Sequence, residues 1–185
     1  MVVSVTIYFR GPFWRRKSKL PSRGYVNHGL IDIENKKSSS RIWYECKWSK
    51  DVNFDHLFHQ WATHLQADVA MLHLFTDPEL RKPQTEDERD FELGVFGGAF
   101  QPGLPNIGWA MAYGKSYAKD VDVSRIRAAG FDVEEGDGVS IVRVTEKLSD
   151  VIDNFAHFSQ RRAELKALFR SSLFWIKEEP VIHSK

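Results

Sequence analysis

The opening run MVVSVTIYF constrains this chain more than any other stretch of it. Val3, Val5, Ile7 and Phe9 alternate with Ser4, Thr6 and Tyr8, and a period of two sends one set of side chains to a core and the other away from it. Such a segment is a β-strand, and a strand needs neighbours, because its backbone N–H and C=O groups must find partners. The search for those neighbours organises the rest of the sequence.

YVNHGLIDIE and RIWYECKW read as a second and a third strand joined by the polar turn NKKSSS. In the third, Ile42, Tyr44, Cys46 and Trp48 share one face, so Cys46 reads as a small buried hydrophobe. It is the single cysteine of the chain, which excludes an internal disulfide and a multi-cysteine zinc site and fits a reducing compartment. VAMLHLF, ending before Asp77-Pro78, reads as a buried strand, and so does the segment Trp109 to Tyr113 after the loop QPGLPNIG. FDVEEGDGVSIVRV is a hairpin whose Asp137-Gly138 pair supplies the positive backbone angles of a tight turn.

Helical spacing interrupts these strands. Asn53 caps a helix whose Phe54, Leu57, Phe58, Trp61 and Leu65 draw one apolar stripe. TEDERDFELGVFGGAF opens with a capping box, Thr85 and Glu88, and Gly94, Gly97 and Gly98 stop it. VDVSRIRAAG is a short helix ended by Gly130, and a long final helix is expected from about Asp150 to Trp175, marked by Val151, Phe155, Phe158, Leu165, Phe169 and Ile176. The expectation is a single α+β domain over residues 1–185, with a largely antiparallel sheet, helices packed on it and a long C-terminal helix. A length of 185 residues with 42% hydrophobic residues suffices for such a core.

Several chemistries are weighed on residue patterns. GWAMAYGKS ends like a phosphate-binding loop, but five residues separate Gly108 from Gly114 where that loop has four, and they are bulky or apolar. His56 and His59 fall on one exposed helix face with His64 off to the side; no third metal ligand can be placed, and the histidine spacing of zinc proteases is missing. No cofactor is expected. The basic loop 10–19, RGPFWRRKSK, mixes Arg10, Arg15, Arg16, Lys17 and Lys19 with Phe13 and Trp14, the composition that grips single-stranded nucleic acid or an acidic partner. Because 26 Lys and Arg stand against 25 Asp and Glu, no net field draws in nucleic acid, and direct contact with it is not expected. An apolar run ahead of the first charges, and none of membrane-spanning length, point to a cytoplasmic protein with no membrane partner. Two acidic clusters, Glu86 to Glu92 and Glu134, Glu135 and Asp137, read as solvated faces, and as surfaces able to fill a cationic groove.

The segment LPNIGWAMAYGKSYAKDVDVSRIRAAGFDVEEGDGVSIVRVTEKLSD resembles immunity proteins of bacterial polymorphic toxin and type VI secretion systems, particularly immunity family 52. The likeness covers about residues 104–174 and rests on Trp109, Tyr113, Gly114, Tyr117, Arg125 and the Gly136-Asp137-Gly138-Val139 hairpin, with Lys115 where relatives often have Pro. The resemblance implies a non-enzymatic protein that binds and neutralises a cognate toxin, often a nuclease. The toxin-facing anchors expected from the sequence are Glu86, Asp87, Glu88, Asp90, Glu92, Phe96 and Phe100. The alternatives are a small nucleic-acid-binding domain using loop 10–19, and an enzyme whose site collects His56, His59 and Glu45.

Overall fold

A computed structural model describes residues 2–8, 10–17, 20–27, 40–76, 79 and 103–180. The expected helix at Thr85 and the expected toxin anchors Glu86, Asp87, Glu88, Asp90, Glu92, Phe96 and Phe100 lie outside the described residues.

The chain is an α+β fold built on one antiparallel sheet. Its strands are β1 (Val2–Tyr8), β2 (Arg10–Arg16), β3 (Ser22–Asn27), β4 (Arg41–Lys47), β5 (Val69–Phe75), β6 (Ala110–Tyr113), β7 (Asp132–Gly136) and β8 (Val139–Arg143). They form an 8-stranded sheet in the order β2-β3-β4-β1-β5-β6-β8-β7. The strand read first from the sequence, β1, thus sits inside the sheet, paired with β4 on one side and β5 on the other. Every residue of β5 is buried, because its apolar run lies between two neighbouring strands and beneath helices on both faces.

Helix α1 (Phe54–His64) covers one face. Asn53 caps it as its sequence indicates, accepting from the His56 N–H at 2.9 Å. Phe54, Phe58 and Ala62 are buried against the sheet, where Trp61 meets Tyr44 edge-on and Trp48 packs on Phe54. Cys46 is buried on this same face, and burial raises its thiol pKa, so it packs as a hydrophobe. The opposite face carries α4 (Phe155–Lys166) and the chain that follows it. There Phe158 lies against His73 of β5, and Phe169 against Tyr113 of β6. Helix α2 (Val123–Ala128), capped by Asp122, precedes the β7–β8 hairpin. That hairpin turns as expected through Asp137 at φ 51 and Gly138 at φ 78.

Two expectations are corrected. Residues 10–16 are not a loop: Arg10–Arg16 form strand β2, at the end of the sheet among the described residues, paired with β3 and bulged between Gly11 and Trp14, while Ser18 and Lys19 lie outside the described residues. Pro12 falls inside the irregularity, which is where a residue without an N–H is tolerated in a sheet. The proline and the run of cations made the segment read as a loop, and pairing with β3 overrides that local signal. The helix expected from Asp150 to Trp175 is divided. A single turn, α3 (Asp150–Asp153), stops at Asn154, whose φ of −146° is not helical and whose side chain caps α4. After Lys166 the chain turns back and runs parallel to residues near Leu104, with Leu104 N–H donating to the Leu173 carbonyl at 2.6 Å and Trp175 N–H to the Leu104 carbonyl at 2.9 Å. Leu173 and Phe174 are buried there, so the apolar residues past Lys166 reach the core through an extended segment.

Candidate functional site

Three groups of polar side chains stand out on this frame. The first is a surface site around Arg143, at the end of β8. Because β7 pairs with β8 in the register Asp132↔Arg143 and Glu134↔Ile141, alternate β7 residues Asp132 and Glu134 project on the same face as Arg143, the face that α1 crosses. The guanidinium uses three nitrogens on three carboxylates: Nε on Asp55 of α1 at 2.9 Å, Nη1 on Asp132 at 2.9 Å and Nη2 on Glu134 at 3.1 Å. Its side chain is 10% exposed, against 36%, 64% and 46% for the carboxylates, so the cation is sunk and the anions face water. Burial lowers the Arg143 pKa, but the hydrogen bonds and charges of Asp55, Glu134 and Asp132 more than offset this and raise it overall. Three carboxylates against one guanidinium leave this surface acidic.

The helix histidines separate. His59 Nε2 lies 3.0 Å from Glu134, joining the rim of the same surface, while His56 and His64 are exposed. Glu45 stands on the sheet face opposite α1, where Arg23 Nη2 donates to both of its oxygens across β3 and β4 at 2.8 and 2.9 Å. His56, His59 and Glu45 therefore do not share a pocket. Among the described residues no group of three or more His, Cys, Asp or Glu side chains is placed to hold a metal ion.

The second group is buried and went unread in the sequence. His73 on β5 accepts the Trp109 backbone N–H at Nδ1, 3.1 Å, which places its proton on Nε2, facing both oxygens of Glu79 at 3.0 and 3.1 Å. Glu79 also accepts from the Thr76 N–H, the Thr76 hydroxyl and Arg162 Nη1, the last at 2.7 Å. Burial pushes the Glu79 carboxyl up, but His73 and Arg162 outweigh it and hold the pKa down to about 2. Arg162 continues to Glu179 at 2.6 Å, and Lys166 reaches Glu179 at 2.8 Å. His73, Glu79 and Arg162 have no exposed side-chain surface, so no substrate touches them. Their work is to fasten β5, α4 and the C-terminal segment together. The one signal for this in the sequence is a histidine in the otherwise apolar run VAMLHLF: a polar group in a buried strand requires a partner.

The third group lies on β2, β3 and β4, on the face opposite α1. Arg15, Arg23 and Glu45 stand side by side in register, with Tyr25 stacked on Trp43 one step along, ring centres 5.6 Å apart. The Arg23 guanidinium sits 5.4 Å from the centre of the Trp43 ring.

The phosphate-loop reading of GWAMAYGKS fails on geometry as it did on spacing. Residues Ala110 to Tyr113 are β6, buried throughout, and Gly114 is a glycine because a Cβ there would run into the Ala67 carbonyl. Lys115 is exposed at the start of a 3₁₀ turn.

No family model, no curated protein and no solved structure matches this chain. No helix of the described residues is long and apolar enough to cross a membrane.

Proposed function

We propose that this protein is a non-enzymatic immunity protein, which binds a cognate secreted toxin, a nuclease effector, in the cytoplasm of the producing cell and blocks it. The carrying observation is the acidic surface around Arg143. Asp55, Asp132 and Glu134 come from two separate elements, α1 and β7, and are locked in place by one sunken guanidinium, and exposed Asp137 adds negative charge at the hairpin turn, while Glu135 pairs with Arg127. A nuclease binds phosphates in a cationic groove, and carboxylates held in place on a protein surface satisfy the same groove without presenting a scissile bond. Because the acids are already positioned, little side-chain entropy is lost on binding, and their field speeds encounter. The residue resemblance over residues 104–174 points the same way. It includes the Gly136 to Val139 turn that aims this hairpin.

The test is co-expression with the C-terminal nuclease domain of a large secreted protein encoded beside this gene, scored as survival. Protection is expected, and it should persist when all seven histidines are replaced by Gln, provided the variant folds. Cell death at the same rate with and without folded protein would reject the reading. Reversing charge at Asp132 and Glu134 should weaken toxin binding by at least about 10-fold, since a close charge pair across an interface couples by ~1.5 kcal/mol or more. The Glu88→Lys, Asp90→Lys variant reports separately on the acidic segment ahead of Gly94.

A further inference from the structure

We propose that the face of β2, β3 and β4 bearing Arg15, Arg23, Tyr25 and Trp43 binds single-stranded nucleic acid, a second activity independent of the acidic surface. The strand assignment of residues 10–16 makes this possible. As β2 the segment sets Arg15 directly across from Arg23, which lies across from Glu45. The next row along the strands holds Tyr25 opposite Trp43. Beyond the arginine row, Lys17 and Lys47 flank the same end of the face, and Arg15, Lys17 and Lys47 are all exposed.

Folding accounts for Arg23, which pairs with Glu45, and leaves Arg15 opposite it without a counter-charge among the described residues. Like charges directly opposite on adjacent strands destabilise a sheet, and Glu45 is engaged by Arg23 in both of its oxygens. Among the described residues Arg15, Lys17 and Lys47 carry no ion pair. An anion lying across the row compensates Arg15, and a polyanion also meets the lysines beyond it. The aromatic row decides which polyanion. Tyr25 and Trp43 are only half-buried although they stack on each other and the Arg23 guanidinium lies beside the Trp43 ring. Half-buried rings next to a strip of exposed cations match the backbone-plus-base pattern of a single strand, where phosphates take the cations and bases take the rings. A duplex hides its base faces, and an acidic peptide has none to offer. The near-neutral net charge of +1 is no obstacle, because the acids around Arg143 sit near the other end of the sheet.

The probe is a fluorescein-labelled oligo(dT), followed by anisotropy on the full chain, with the matched duplex and a polyglutamate peptide of equal charge as comparators. Three uncompensated cations predict that affinity falls by about 20-fold between ~50 and ~200 mM salt, using ~0.7 counterions released per contact on a single strand. Arg15→Ala with Lys17→Ala, both exposed and outside the core, should flatten that salt dependence to about one contact. Trp43→Leu, read only if its unfolding midpoint is unchanged, should weaken oligo(dT) at least about 5-fold and leave polyglutamate unaffected. Equal affinity for polyglutamate, preference for the duplex, no binding at low salt, or an unchanged salt slope in the Arg15, Lys17 variant would each overturn the proposal.

Discussion

At the scale of single residues, Glu79 has the most to lose. Its carboxylate is buried with five hydrogen-bond contacts, from His73, Thr76 and Arg162, and its pKa is lowered from 4.5 to about 2. A carboxyl whose pKa is depressed by folding contributes stability that is complete above its unfolded value and is lost as pH falls toward the folded one. The depression makes the ionised Glu79 carboxylate a net contributor to stability at neutral pH. Denaturant unfolding should therefore be insensitive to this group above about pH 4.5 and weaken steadily between about pH 4.5 and 2. Glu79→Gln should start lower and lose this segment of the pH dependence; a parallel decline in both proteins would place the acid sensitivity elsewhere. Arg162→Met alone should cost about 3–5 kcal/mol, because it strands a buried anion. Adding Glu79→Leu should restore most of that loss, and a double variant no more stable than Arg162→Met would show that the pair is not the source. His73, Thr76 and Glu79 lie close in sequence, but Arg162 stands 83 residues from Glu79 and joins them only when α4 lies on β5, to which a reading by local pattern has no access.

At the scale of elements, the legible parts are those whose signal is local. Asn53 and Asp122 announce helix starts because their side chains bond to N–H groups only three residues on. Asp137-Gly138 announces a hairpin because the required backbone angles suit few other residues. Strand β2 was illegible because nothing within residues 10–16 says that β3 will pair with them; Pro12 and the cations describe an edge strand and a loop equally well. The C-terminal helix was legible as a helix but not in its limits, since apolar spacing continues through Phe169 while the backbone does not. Asn154 tests the interruption. Its side chain caps α4 at 3.4 Å from His157 N, longer than the 2.9 Å of Asn53 on α1, so Asn154→Ala should cost less than Asn53→Ala, for which about 1 kcal/mol is expected. Chemical denaturation of the two variants gives the comparison. Gly138→Ala should cost about 1 kcal/mol or more through its positive φ alone, since a Cβ there meets nothing within 4 Å.

At the scale of the whole molecule, near-neutrality conceals a separation of charge. Asp55, Asp132 and Glu134 gather where α1 crosses β7 and β8, while Arg15, Lys17, Arg23 and Lys47 gather on β2, β3 and β4. The centres of the two groups are about five strand spacings apart, or about 24 Å at ~4.8 Å per strand. Screening in physiological salt acts over ~8 Å, so each surface is electrostatically blind to the other. They also face opposite sides of the sheet, because α1 covers the side that carries Arg143 and the Arg15–Arg23 row stands on the other. A rigid sheet with a buried ionic clasp at its middle strand gives no bistable element to couple them, and sites this distant add independently within ~0.5 kcal/mol. The expected outcome is a double-mutant cycle that closes: combining Asp132→Lys, Glu134→Lys with Arg15→Ala, Lys17→Ala should leave toxin affinity at the value of the acidic-surface variant and oligo(dT) affinity at the value of the basic-face variant. Isothermal titration of each ligand against the four proteins reads this directly. A coupling larger than ~1 kcal/mol would mean that the sheet transmits strain between its ends, and the clasp of His73, Glu79 and Arg162, which lies between them, would be the first place to look for it.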